Sequence, residues 1–168
     1  MRILPYFKCA VVDSSENARG MLLARRAVMN PKAEELKRRT FKFALAVISF
    51  CRTLRETWEG RELSDQLFRA GTRVGANYRA ACRARSHADF VVKLGHVVEE
   101  ADESCYWLEV IRAAKITSEP TLDRLLGEAG ELTAVFSQSQ LTAKANAAAY
   151  AAPQHRRRHQ SLNKSVNS

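Results

Sequence analysis

The chain has 168 residues with 27 Lys and Arg against 18 Asp and Glu, a formal net charge of +9 at pH 7. This length suits one domain with a core of about 110–120 residues and additional termini. No apolar run approaches the roughly 18 residues of a membrane span, and Asp13 follows the short Ala10-Val11-Val12 segment too closely for a signal peptide. The composition therefore predicts a cytoplasmic protein without a membrane partner.

The excess positive charge lies mostly at the two ends of the chain. Residues 34–146 carry 17 basic and 16 acidic side chains, residues 1–33 carry six and two, and residues 147–168 carry four and none. Basic ends favour polyanions through counterion release. The four cysteines show no CxxC spacing, so we expect them to be small buried hydrophobes in a reducing compartment.

Residues 1–31 show no sustained helical or strand period and are predicted to form an irregular N-terminal extension. Met29-Asn30-Pro31 then precedes a well-formed helix, with Pro31 near its start and acidic residues in its first turn. One hypothesis is that Met29 is the biological start and that residues 1–28 are a misassigned extension.

The first predicted helix runs from about Ala33 to Trp58. Its main apolar stripe consists of Leu36, Phe43, Val47, Phe50, Cys51, Leu54 and Trp58. A second apolar strip, Phe41, Leu45 and Ile48, lies about 120° away on the helical wheel. A helix that is apolar on two faces either lies deep in a core or presents the second strip to another subunit.

We expect Trp58-Glu59-Gly60 to separate the first two helices, with Gly60 at a C-terminal cap position. The second helix then covers about Arg61 to Arg83 and carries Arg69, Arg73, Arg79 and Arg83 within an arc of about 120°. The opposite arc holds Leu63, Leu67, Gly71, Val74, Tyr78, Ala81 and Cys82. Glycine in a helix interior costs about 1 kcal/mol relative to alanine. Gly71 and Gly75 therefore predict that a neighbouring helix approaches closely.

Ser86 and Asp89 form a start signal like a capping box for a third helix that extends to about Lys115. The segment Thr117–Pro120 opens a fourth helix, which we expect to fray near Ala147–Ala152. No segment shows the alternating pattern of a β-strand, and short connections between consecutive helices favour their antiparallel packing. The prediction is an all-α, antiparallel up-down four-helix bundle over residues 32–147, followed by a basic, disordered tail over residues 148–168.

The residues offer little support for catalysis. Glu99-Glu100-Ala101-Asp102-Glu103 resembles half of the magnesium site of all-α nucleotide pyrophosphatases, but the ExxD that those enzymes carry on the next helix is missing. A di-iron bundle needs Glu-x-x-His motifs on two helices, and His96 with Glu100 has no counterpart. We therefore predict a protein without catalytic residues, metal or cofactor, and keep the pyrophosphatase as a remote alternative.

Arg69, Arg73, Arg79, Arg83 and Arg85 are the best functional candidates. Guanidinium forks suit the phosphate oxygens of RNA or DNA. They could equally meet acidic residues of a neighbouring subunit, because four acids are predicted on the outer surface of the third helix: Glu99, Glu100, Glu103 and Glu109. Tyr106 and Trp107 lie outside the main apolar stripe of that helix, either as base-stacking platforms or at a subunit interface.

The same region carries a family resemblance. It rests on Gln66-Leu67, Gly75-Ala76-Asn77, the junction Arg83–Ser86, the DFxxKL of Asp89–Leu94 and the ExxYWLE of Glu103–Glu109. These motifs resemble the bacterial four-helix bundle family that is named after proteins encoded in intervening sequences of 23S ribosomal RNA genes. The resemblance covers roughly residues 34–146 and is densest over residues 63–111.

The resemblance implies a cytoplasmic antiparallel bundle that assembles as a homo-oligomer, typically a pentamer. Phe41, Leu45, Ile48, Tyr106 and Trp107 are then the expected interface residues. A related branch contains the accessory proteins of diversity-generating retroelements, which bind nucleic acid and a reverse transcriptase, so both are expected partners. The family supplies no catalytic residue to carry over.

Overall fold

The computed structural model describes the backbone of residues 30–166 and side chains as far as Asn146. It contains four helices: α1 (Pro31–Thr53), α2 (Trp58–Ala81), α3 (His87–Ala113) and α4 (Thr121–Val166). Each helix packs along its neighbour in the chain, and α1 also contacts α4, which closes the bundle. The described residues contain no strand. The predicted antiparallel up-down four-helix bundle is confirmed.

Local capping groups set the starts of the helices. The Asn30 side chain accepts a hydrogen bond from the Lys32 amide at 3.1 Å, and Pro31 is the first residue of α1. At the start of α3, the Ser86 hydroxyl accepts from the Asp89 amide at 3.1 Å, as the sequence predicts. The Asp89 carboxylate accepts from the amide of Arg85, one residue earlier than in a capping box.

The break between the first two helices lies earlier than predicted. The helix α1 ends at Thr53, and Thr57 caps α2 by accepting from the Gly60 amide at 3.0 Å. Gly60 is therefore in the first turn of α2 and does not end α1. A Cβ atom there would stand 1.8 Å from the Leu54 carbonyl oxygen, so the close approach of α1 requires glycine. Trp58, predicted in the buried stripe of α1, is instead 67% exposed.

The core follows the predicted apolar arcs of all four helices. Its largest fully buried side chains include Phe50, Leu67, Leu94, Leu108, Leu132 and Phe136. The predicted close approach of a neighbouring helix at the glycine pair of α2 is confirmed, and the neighbour is α1. A Cβ atom on Gly71 would stand 2.9 Å from the Val47 methyl groups, and one on Gly75 would stand 3.4 Å from the Thr40 carbonyl oxygen.

The fourth helix continues beyond its predicted end and reaches Val166. The predicted fraying point falls in the run Ala147–Ala152. Because alanine has the highest helix propensity, the helix continues through this run.

The predicted division of the chain into an N-terminal extension, a bundle and a basic terminal segment stays a prediction. Residues 1–29 of the predicted extension, and with them the Met29 hypothesis, lie outside the described residues, whereas Asn30 caps α1 and Pro31 begins it. None of the described helices is long and apolar enough to cross a membrane.

The seam between α1 and α4 is the loosest of the four helix contacts. Arg39 of α1 crosses it and donates to the Glu128 carboxylate at 2.6 and 2.9 Å and to Glu131 of α4. A groove of about 450 Å³ lies along the seam and is lined by both apolar and charged residues, among them Lys42, Phe43 and Arg124. The Arg39 guanidinium therefore joins the two helices along the seam where their contact is least extensive.

Candidate nucleic-acid interface

The predicted arginine stripe is present on the outer face of α2. Arg69, Arg73 and Arg79 are exposed, and so is Arg83, which follows the end of the helix. The opposite arc is buried as predicted at Leu67, Gly71, Val74, Tyr78 and Ala81. Burial of that arc sets the rotation of α2 about its axis, so the arginines point outward because of the packing behind them.

Arg85 lies in the connection between α2 and α3. Its backbone amide donates to the Asp89 carboxylate at 2.9 Å, while Lys93 donates to the same carboxylate at 2.7 Å. These hydrogen bonds lower the pKa of Asp89, with the contribution of Lys93 the largest. They also fix the backbone that carries Arg83 and Arg85, both of which have exposed side chains.

One arginine of the stripe has an acidic partner within the same chain. Arg73 Nη1 lies 3.6 Å from Glu100 Oε1 of α3, and the Glu100 side chain is only 15% exposed. Glu100 was predicted on the outer surface of α3, and this prediction is wrong. The residue faces α2 because α3 turns this side of its wheel toward that neighbour.

Glu100 is an incompletely partnered carboxylate. Its Oε2 atom is buried and has no hydrogen-bond partner among the described residues. Burial raises the pKa of Glu100, and Glu103 and Glu99 raise it further, while Arg73 opposes the shift. Arg73 is therefore paired with a carboxylate within the bundle, and it is the only arginine of the stripe with such an ion pair among the described residues.

The other acids of the cluster lie on the outer surface of α3 as predicted. Glu99 and Glu103 are exposed. Glu99 lies 3.1 Å from His96 Nδ1, and the Trp107 indole N–H donates to Glu103 at 3.1 Å. Across the described part of the chain, no group of three or more His, Cys, Asp or Glu residues could hold a metal ion.

The predicted interface strip of α1 is largely on the surface. Phe41 and Leu45 are 53% and 51% exposed, and Ile48 is half-buried. Phe68 of α2, which was not predicted, is 44% exposed. It lies between Ser64, whose carbonyl accepts from the Cys51 thiol, and Gly71, which packs on Val47.

This register places Phe68 level with Ile48, so the strip extends onto the next helix. We call Phe41, Leu45, Ile48 and Phe68 the apolar patch. The wheel of α2 alone could not reveal it, because Phe68 appears there as a single surface aromatic.

Tyr106 and Trp107 form a second aromatic site on α3. Tyr106 is exposed and Trp107 is half-buried. Their ring centroids lie 4.9 Å apart in an edge-to-face arrangement. They stand beside the acidic surface of Glu99 and Glu103, which is less favourable for phosphate than the arginine face of α2.

Comparison with known proteins supports the fold and its family. A family model described as 23S rRNA-intervening sequence protein matches residues 32–138. A crystal structure of a protein of unknown function, from the S23 ribosomal protein family of Bacteroides thetaiotaomicron, superposes with a TM-score of 0.60 at 28% identity. The match covers 65% of this chain and 97% of the other. No curated protein matches the chain.

Proposed function

The chain belongs to the 23S rRNA-intervening sequence protein family, and on that premise we propose that it is a cytoplasmic, non-enzymatic, homo-oligomeric protein that binds RNA or DNA. The observation that carries the proposal is the outward arginine face of α2 and of its connection to α3. Of Arg69, Arg73, Arg79, Arg83 and Arg85, only Arg73 has an ion pair with a described carboxylate. Exposed guanidinium groups that form no ion pair within the described part of the chain suit phosphate oxygens.

Salt-dependent binding tests this proposal. The full chain is titrated against labelled RNA and DNA of about 20 nucleotides, and fluorescence anisotropy is followed at several salt concentrations. Four phosphate contacts would give a slope of log K against log salt of about −3 to −4. Reversal of Arg73 and Arg79 to glutamate is expected to weaken binding at low salt. A folded oligomer that binds neither nucleic acid at low salt overturns the proposal.

A second candidate function is a structural or regulatory assembly module without a nucleic-acid ligand. The apolar patch favours it, because two exposed phenylalanines and a leucine lie on neighbouring helices. In that case the arginines pair with acidic residues of the next subunit, and the reversals of Arg73 and Arg79 dissociate the oligomer instead of weakening nucleic-acid binding.

Self-association through the apolar patch is common to both candidates, and we propose a pentamer. Sedimentation velocity of Phe41→Glu with Leu45→Glu is expected to show monomers. Ser49→Glu is the matched control, because Ser49 is an exposed residue of the same helix outside the patch. A wild-type chain that sediments as a monomer at micromolar concentration argues against assembly.

The family resemblance implies a related branch, the accessory proteins of diversity-generating retroelements, and on that ground we extend the proposal to a reverse transcriptase as a protein partner. Co-purification of a reverse transcriptase with the native protein, resistant to nuclease treatment, would support that extension. A pyrophosphatase would instead show magnesium-dependent nucleotide hydrolysis that is lost in Glu99→Gln.

A further inference from the structure

Formal charge is distributed unevenly along the long axis of the bundle. One end is formed by the start of α1, the end of α2 with the start of α3, and the part of α4 that packs beside them. His87 lies 2.7 Å from the Ala143 carbonyl oxygen, and the Gln140 side chain lies 3.4 Å from the Val91 carbonyl oxygen. The close approach of Gly75 to Thr40 brings the start of α1 to the same level. We call residues 30–38, 76–93 and 138–146 the basic end.

The basic end holds eight Lys and Arg and three Asp and Glu, a net charge of +5. The remaining described side chains, residues 39–75 and 94–137, hold ten basic and thirteen acidic residues, a net charge of −3. The bundle is therefore strongly dipolar, although its total charge is small. The basic members are Lys32, Lys37, Arg38, Arg79, Arg83, Arg85, Lys93 and Lys144.

Most of these cations are available to an external anion. Lys37 and Lys93 are engaged with Glu34 and Asp89 at 2.7 Å. Five others are exposed and have no ion pair with a described carboxylate: Arg38, Arg79, Arg83, Arg85 and Lys144. They come from α1, from α2 and its connection to α3, and from α4, so no single helical wheel contains them.

The basic termini join the bundle at this same end, because α1 starts there and α4 leaves there. Residues 1–29 carry five basic and two acidic side chains, and residues 147–168 carry four basic and none acidic. Both terminal segments therefore carry a positive net charge in the sequence that adjoins the basic end.

Arg69 and Arg73 belong to the acidic part. The carboxylate of Glu100 lies 3.6 Å from Arg73, and Glu99 and Glu103 flank it on α3. Glu100 stands well within the Debye length of about 8–10 Å at physiological salt, so a phosphate that approaches Arg73 meets repulsion from this carboxylate. At the basic end, Glu34 interacts electrostatically with Arg38 and Arg79, and Asp89 with Arg85. Each of these two carboxylates is already paired with a lysine, Lys37 or Lys93, at 2.7 Å.

We propose that the basic end, and not the full arginine stripe of α2, is the surface that contacts the phosphate backbone of nucleic acid. This inference rests on the proposed function and assigns its ligand surface. Arg38 and Lys144 join Arg79, Arg83 and Arg85 in it, and Arg69 and Arg73 are excluded. Interaxial spacings of about 8–10 Å make this end roughly 20 Å across. A duplex carries one charge per about 1.7 Å of its axis, so several phosphates face the end at once.

Two double variants of the full chain test the inference. Arg83→Glu with Arg85→Glu alters the basic end, and Arg69→Glu with Arg73→Glu alters the acidic half of the stripe. All four side chains are exposed, and the two variants change the net charge equally. Affinity for the same labelled RNA and DNA is measured by anisotropy at about 50 and 150 mM salt, with circular dichroism to verify folding.

We expect the basic-end variant to raise Kd at least tenfold and to reduce the salt slope by about 1.5, as two lost phosphate contacts require. The stripe variant should raise Kd less than threefold. If the stripe variant loses as much affinity as the basic-end variant, or more, the inference is overturned but the proposed function stands. If the wild-type chain does not bind nucleic acid at the lower salt concentration, both the inference and the proposed function are overturned.

A second pair of variants keeps the inference testable if the double reversals fail to fold. Arg38→Gln and Lys144→Gln each remove one exposed charge outside α2 and should each raise Kd about threefold, whereas Arg52→Gln on the acidic half should not.

The alternative to nucleic acid is that the basic end binds the acidic part of a second copy of the chain. If Arg83→Glu with Arg85→Glu lowers the sedimentation coefficient and leaves Kd unchanged, that end binds another copy and the inference is wrong.

Discussion

Arg73 and Glu100 form the ion pair that joins the arginine face of α2 to α3, with 3.6 Å between Nη1 and Oε1. The pair is asymmetric, because the Arg73 side chain is 59% exposed whereas the Glu100 side chain is largely buried. The second oxygen of Glu100 is buried without a hydrogen-bond partner among the described residues. Loss of the ion pair would therefore leave the Glu100 carboxylate poorly solvated, whereas the Arg73 guanidinium would still be solvated by water.

Replacing Arg73 by methionine is expected to destabilise the fold by about 1 kcal/mol at pH 7, because a poorly solvated carboxylate loses its cation. The loss should vanish at acidic pH, where Glu100 is protonated. Urea unfolding at several pH values measures it. Arg69→Met is the matched control, since Arg69 has no described ion pair. An equal loss in both variants would show that side-chain packing, and not the ion pair, is responsible.

Glu100→Gln should raise the free energy of unfolding at pH 7 by about 0.5–1 kcal/mol, because it removes the buried charge. The raised pKa of Glu100 means that the folded chain takes up this proton more readily than the unfolded chain. Wild-type stability at this site is therefore greatest at low pH and is lost as pH rises through the raised pKa. The advantage of the variant should accordingly disappear on acidification. An advantage that persists at low pH contradicts this account.

Lys115→Gly is expected to stabilise the chain by about 1 kcal/mol. Lys115 follows the end of α3 with φ of 54°, a left-handed conformation that is unfavourable for residues with a Cβ atom. Ala114→Gly provides the control, because Ala114 has ordinary helical angles, φ −76° and ψ −4°, and should lose stability. Thermal unfolding of the two variants distinguishes relief of strain from a general effect of glycine.

Gly71→Ala and Gly130→Ala should change stability in opposite directions. A Cβ atom on Gly71 would stand 2.9 Å from the Val47 methyl groups, whereas nothing lies within 4 Å of one on Gly130. We expect Gly71→Ala to cost about 1–3 kcal/mol and Gly130→Ala to gain about 0.5–1 kcal/mol. Val47→Ala should rescue part of the loss in a double-mutant cycle. Additive losses would show that the two residues do not clash.

Cys51 should be unreactive toward thiol reagents in the folded chain near pH 8. Its burial raises the pKa of the thiol to about 11, and the sulfur donates to the Ser64 carbonyl oxygen at 3.4 Å. Timed labelling with and without denaturant measures the protection. Comparison with Cys51→Ala identifies the protected thiol, because the variant should lose one reactive group only in denaturant. Loss of a fast-reacting group in the folded variant would contradict burial.

Local sequence signals are sufficient to predict the four helices and the arc that each one buries. Ser86, Asn30 and Pro31 act within one helical turn, and the arcs of Leu67 and Phe136 follow from the 3.6-residue period. These signals depend on neighbouring residues alone. The first break was misplaced because the apolar period runs through Leu54 to Trp58 without interruption, although Thr57 caps the next helix.

The stagger of the helices along one another depends on tertiary packing and could not be predicted from the sequence. A helical wheel gives the rotation of each helix about its axis but not its axial position relative to a neighbour. Packing of Gly71 on Val47 sets that position for α1 and α2. It brings Phe68 level with Ile48, while the stagger of α2 on α3 places Arg73 beside Glu100. The same stagger divides the arginine stripe between an acidic half and a basic end, because axial register decides which charges of other helices lie within electrostatic range.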